Sequence, residues 1–88
     1  MQSNLVNTVK PAYPRLAILT RTQGAVILEA VITREGTIDP SSLRVLTGHT
    51  LLNDAAIDAV KQWRYRPTLL NGVPVEVITT IAVNFTLN

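Results

Sequence analysis

From Val73 to Leu87 the chain alternates. Val73, Val75, Val77, Thr79, Ile81, Val83, Phe85 and Leu87 occupy every second position. A period of two with many β-branched residues predicts a strand. A strand of that length dominates a chain of 88 residues, which has room for one domain and one core. The rest of the fold must supply this strand with neighbours and cover one of its faces.

A second alternating run lies upstream. Val26, Leu28, Ala30 and Ile32 form one face of a strand from Gly24 to Arg34, and the other face is also fairly apolar. Arg34-Glu35-Gly36-Thr37 reads as a hairpin turn, with Gly36 taking the positive φ. The return strand is expected from Thr37 to Leu46, anchored by Ile38, Leu43 and Val45. Pro40 cannot donate to a ladder, so this strand belongs at an edge or carries a bulge.

Two segments switch to helical spacing. Leu52, Ala56, Ala59, Val60 and Trp63 fall on one helical face. Thr50 or Asn53 can cap that helix, and Pro67 stops it. Trp63 reads as core, because an aromatic on that stripe packs. A shorter helix is predicted from Arg15 to Thr22, with Pro14 as its first residue and Gly24 ending it. Residues 1–10 are polar and aperiodic and read as a flexible leader or linker remnant. Residues 11–88 form the domain.

The order helix, strand, strand, helix, strand gives an α+β fold, α-β-β-α-β. A right-handed crossover returns the third strand beside the first. The sheet is then three-stranded and antiparallel in the order 2-1-3, with both helices on one face. The last strand lies at an edge.

Composition removes several functions. Eight Lys and Arg against six Asp and Glu, with four scattered aromatics, make no clustered basic, stacking surface, so no nucleic acid partner is expected. The absence of Cys excludes disulfides, thiolate metal sites and a Cys nucleophile. No apolar run approaches the ~18 residues of a membrane span.

The polar residues suggest no catalytic set. His49 has no second His or Cys with which to hold a metal. It reads as a polar loop residue ahead of a helix. Ser41 and Ser42 near Asp39 invite a triad with His49, but no strand-to-helix elbow presents either serine. Glu29 and Glu76 fall in strands and could neighbour each other across the sheet as an acid–base pair; solvated positions on an open face are the plainer reading. The four glycines sit at element boundaries and form no phosphate loop. No enzyme, catalytic residue, metal or cofactor is expected.

What remains is the edge. Val75 to Phe85 contains neither the Lys nor the Pro that usually blunts an exposed strand. Such an edge is covered by the leader or by a second copy of the chain, or it accepts a partner peptide as an added strand.

The ordered motifs resemble one family. Pro11-Ala12-Tyr13-Pro14 with Ala17, then Gly24-Ala25-Val26 and Gly36, precede Ala55-Ala56, Ala59-Val60 and the tract Trp63-Arg64-Tyr65-Arg66-Pro67. Gly72, Val75 and Val83-Asn84-Phe85-Thr86-Leu87 close the set. Together they resemble the C-terminal domain of TonB-family energy transducers, from Pro11 to Leu87. The resemblance implies the same α-β-β-α-β fold and a periplasmic location, as the C-terminal part of an inner-membrane-anchored protein. It implies no enzymatic activity. It implies binding of the Ton box of outer-membrane receptors beside the last strand, and transmission of force from a proton-driven inner-membrane motor complex. Carried onto this chain, the docking strand is Val75, Glu76, Val77, Ile78, Thr79, Thr80, Ile81, Ala82 and Val83, with Tyr13, Arg64 and Arg66 near it. Ala12 departs from the polar residue frequent at its position, which weakens any side-chain contact from there. Related domains also close sensor metallopeptidases, where the module would associate with itself or another partner.

Overall fold

In the structure, a computed structural model describing residues 5–87, short elements surround one central strand. They run strand β1 (Leu5–Asn7), helix α1 (Arg15–Leu19), strand β2 (Gly24–Ile32), a 3-10 turn (Pro40–Ser42), strand β3 (Arg44–Thr47) and helix α2 (Thr50–Val60). Strands β4 (Arg64–Tyr65), β5 (Thr68–Leu70), β6 (Val73–Val75) and β7 (Val77–Phe85) follow.

The main sheet has the order β3-β2-β7, and β2 is antiparallel to both neighbours. This is the expected order, with the first long strand at the centre. β2 and β7 pair without interruption from Gly24 opposite Phe85 to Ile32 opposite Val77. Val26, Leu28, Ala30 and Ile32 of β2 and Ile81, Val83 and Phe85 of β7 are buried on one face. Leu52, Ala56 and Val60 of α2 and Ala17 of α1 close over them. Removing this apolar surface from water is the main stabilising term. The opposite face has no such cover among the described residues, and Ile27, Glu29 and Val31 there are only half-buried.

Helix ends depart from the expected boundaries for local reasons. α1 stops at Leu19, short of Thr22. Arg21 takes a left-handed φ of 55°. The Thr22 N–H donates to the Ala17 carbonyl at 2.8 Å and the Arg21 N–H to the Ile18 carbonyl at 3.1 Å. That pair of bonds ends a helix, three residues before Gly24. Pro14 is extended (ψ 138°) and stands before the first turn. His49 caps α2, its Nδ1 accepting the Leu51 N–H at 3.0 Å; Thr50 and Asn53 are not the cap. α2 ends at Val60, so Trp63 lies beyond it, half-buried against the core.

Two expected strands are broken. Asp39 and Pro40 start the 3-10 turn, and β3 keeps only four residues. The long final strand divides at Glu76 into β6 and β7. β6 pairs with β5 in a hairpin whose turn residues, Asn71 and Gly72, both have positive φ, 53° and 81°. This is the two-residue turn that matches strand twist.

Residues 1–4 of the stretch read as a leader lie outside the described residues. Within the remainder, Leu5–Asn7 pairs with Arg64 and Tyr65. The Trp63 indole N–H donates to the Val9 carbonyl at 3.0 Å. This part of the stretch is therefore attached. Gly36 makes the attachment point. Its carbonyl accepts the Tyr65 N–H at 2.8 Å. It has φ 88°, and a Cβ there would collide with the Tyr65 carbonyl. Only glycine fits so close an approach.

Candidate functional site

β7 is the site's foundation. It is nine residues long and carries no charge, and among the described residues no strand pairs with its outer side. Two bonds on the far side of β2 fix which of its main-chain groups face outward. The Asp39 N–H donates to the Val31 carbonyl at 3.0 Å, and the Val31 N–H donates to Ser42 Oγ at 2.9 Å. The main-chain groups of Val31 thus point away from β7. Its partner Ile78 is therefore a non-hydrogen-bonded pair. By alternation, Ile78, Thr80, Ala82 and Asn84 direct their N–H and C=O groups to the open side. Thr79, Ile81, Val83 and Phe85 bond inward to β2.

The side chains of the outward set lie on the uncovered face. Ile78 is 71% exposed, whereas Ile81, three residues on, is 5% exposed. The strand is held by one row of residues and offers the other.

Tyr13 stands at the far end of this edge. Its ring meets Phe85 edge-on, with centroids 5.4 Å apart at 88°, a favourable aromatic geometry. Its hydroxyl donates to the Thr22 carbonyl at 2.5 Å, which fixes the ring. Lys10, Pro11, Tyr13, Asn84, Phe85 and Thr86 line a shallow cleft of about 370 Å³. The cleft continues the open edge past Asn84. The proline-flanked tyrosine of the sequence motif therefore helps to wall the end of the strand.

Arg64 is placed elsewhere. It pairs with Thr37 on the side of the hairpin away from β2, and with Asn7 of β1. Three strand spacings, roughly 14 Å, separate it from β7. Arg66 is exposed where the chain leaves β4. The fold brings Tyr13 to β7 but not Arg64. Val75 and Glu76, the first two residues of the expected docking strand, lie in and just after β6 rather than on β7.

The other polar candidates have structural partners. Asp39 Oδ1 accepts the Ser41 hydroxyl at 2.8 Å and the Ser41 N–H at 3.1 Å. Ser42 Oγ donates to the Asp39 carbonyl at 2.7 Å while accepting from Val31. His49 caps α2, so no triad is assembled. Glu29 faces Thr80 in register and approaches Arg44 at 3.5 Å. Glu76 lies four residues along from Thr80, more than ~12 Å away, so the two carboxylates are not neighbours. The described residues contain no group of three or more His, Asp or Glu able to hold a metal ion. None of their helices is long and apolar enough to cross a membrane.

Sequence reasoning missed the bond from Val31 to Ser42, β1 and the outward row. Ser42 and β1 act through partners distant in the chain. The row depends on ladder parity, which no local pattern encodes.

Comparison with known proteins agrees with this architecture. Residues 9–87 match the family described as the Gram-negative bacterial TonB protein C-terminal. Protein TonB of Vibrio cholerae serotype O1 is 34% identical over 79 residues, covering 90% of this chain and 32% of that protein. Protein TonB of Xanthomonas campestris pv. campestris is 30% identical over 82 residues, covering 93% of this chain and 37% of that protein. The chain thus spans about a third of the length of these curated relatives. The solution NMR structure of the Pseudomonas aeruginosa TonB CTD superposes with a TM-score of 0.76 at 26% identity, covering 94% of this chain and 84% of that one. TonB proteins are energy transducers rather than enzymes. With the family matched along nearly its whole length and the fold shared, the chain belongs to the TonB C-terminal domain family.

Proposed function

We propose that β7 is a peptide-docking edge and that the domain is the periplasmic binding domain of a TonB-like energy transducer. An extended segment, the Ton box of an outer-membrane receptor, adds beside β7. The parent protein is anchored in the inner membrane, and its N-terminal part engages a motor complex driven by the proton gradient. Force then passes through the domain to the receptor for nutrient uptake. The observation that carries this reading is the row of outward main-chain groups at Ile78, Thr80, Ala82 and Asn84, on an unbroken strand whose outer side no strand pairs with among the described residues. Strand addition draws its affinity from such groups.

The physics fits a mechanical link. Each main-chain hydrogen bond contributes a net of ~0.5–1.5 kcal/mol. After the cost of ordering a short peptide, affinity is on the order of micromolar or weaker. Bonds loaded in parallel resist force better than that equilibrium affinity suggests. The absence of charge along β7 leaves recognition to backbone and shape.

A proline substitution tests the reading. Thr80→Pro removes one outward N–H and leaves the inward ladder intact, a change that edge strands tolerate. Calorimetric titration with a Ton-box peptide of about seven residues should show at least a tenfold loss of affinity, with the far-UV spectrum unchanged. Unchanged affinity in the folded variant would remove β7 as the site. The same edge also suits a second copy of the chain, as an isologous strand pair. Light scattering against concentration separates that use from peptide docking.

A further inference from the structure

We infer that Pro74 is a register stop, which ends the docked strand at the β6–β7 junction. The inference rests on β7 being the docking edge. It starts from the hairpin. Asn71 and Gly72 form a two-residue turn, so the flanking pair Leu70 and Val73 is hydrogen-bonded. Alternation then makes Thr68 and Val75 a bonded pair, and Leu69 and Pro74 a non-bonded one. Val75 therefore faces β5, while the main chain of Pro74 faces away from it.

β7 follows with the same parity. Val77 faces β2 opposite Ile32, and Ile78 faces out. One residue, Glu76, separates the two strands. The parity of β6 and that of β7 agree across Glu76, so alternation carries positions 74, 76, 78, 80, 82 and 84 to the same outer side. Every one of these except Pro74 can donate an N–H to an added strand. The missing donor sits where the edge would otherwise run on into the hairpin.

That hairpin needs protection. Leu69, Leu70 and Val73 are each at least 60% exposed. Among the described residues no strand pairs with the outer side of β6, and an apolar edge of this kind templates further strands. Proline at an outward position is a standard way to blunt it. Here it does so at one end of the edge and leaves β7 open. The docked peptide is thereby confined to the side of Glu76 that carries Tyr13, which fixes its register against β7.

Amide hydrogen exchange on the labelled 88-residue chain tests this. Two synthetic proline-free, apolar peptides of about seven and about twelve residues serve as probes. In the wild type both should protect Ile78, Thr80, Ala82 and Asn84, and neither should protect amides before Glu76. Their affinities should agree within about twofold. In Pro74→Val, and in Pro74→Thr as a second variant, the longer peptide should protect the amide of residue 74. It should also bind at least fivefold more tightly than the shorter one. Protection reaching β6 in the wild type overturns the stop. So does β7 protection with no length dependence in either variant. No protection anywhere on β7 overturns the docking reading itself, and the stop with it.

Discussion

The two outer strands of the main sheet flank the same central strand and share little else. β3 has four residues and begins just after a 3-10 turn, and its side of the sheet is extended at the hairpin end by Thr37, β4 and β1. Ser42 supplies a side-chain acceptor where the ladder stops. β7 has nine residues in uninterrupted register, and the chain is interrupted only before it, at Glu76. Edge strands invite further pairing, and proteins suppress that with short strands, prolines and added cover. The β3 side of this sheet is shortened by such devices, whereas β7 is long and, among the described residues, no strand pairs with its outer side. The difference lies in the sequence between the anchors. Asp39, Pro40 and Ser42 interrupt the first, and nothing interrupts Val77 to Phe85.

The sharpest way to break the comparison lies within β7 itself. Ile81→Ala removes a buried side chain and should cost about 2–5 kcal/mol in a urea unfolding experiment. Ile78→Ala, on the open side, should change stability by no more than ~0.5 kcal/mol. Equal costs would mean that both faces of β7 are covered.

On the β3 side, Ser42→Ala leaves the Val31 N–H without its acceptor. The expected cost is about 1–3 kcal/mol, measured the same way, with peptide affinity at β7 unchanged. A neutral result would mean that the Ser42 bond does not protect this side.

The smallest effect is alkaline. Burial raises the Tyr65 phenol above its ordinary value of 10.0. The folded state then holds this proton more tightly than the unfolded chain does. Its stability contribution is complete below the unfolded value and is lost as pH rises through the folded one. Thermal midpoints should therefore fall above about pH 10. Tyr65→Phe should flatten that part of the profile. An identical decline in both proteins would assign it to other groups.

Much of this was legible from spacing alone. Val26 to Ile32 and Leu52 to Val60 each repeat one period long enough to define a buried face, and element order then placed β7 at an edge. The hairpin at Thr68–Val75 was only half read. Gly72 marks an element boundary in the sequence, but the alternation through Val73 and Val75 merges β6 with β7. β1 gave no signal, since three residues have no period and their partners lie more than fifty residues away. Of the candidate site, the strand and Tyr13 could be named. Arg64 is placed near β7 only by the family resemblance, whereas the Gly36–Tyr65 bond holds its tract to the opposite side. The outward row was beyond reach, because it follows from which side of β2 bonds to Asp39.

The most direct test of the open edge is an amide NMR titration of the domain with a Ton-box-like peptide. Saturable shifts confined to Val77–Phe85 and the neighbouring Tyr13 are predicted. No shifts at millimolar peptide in a folded monomer, or shifts gathered on β3 and β1 instead, would contradict the account.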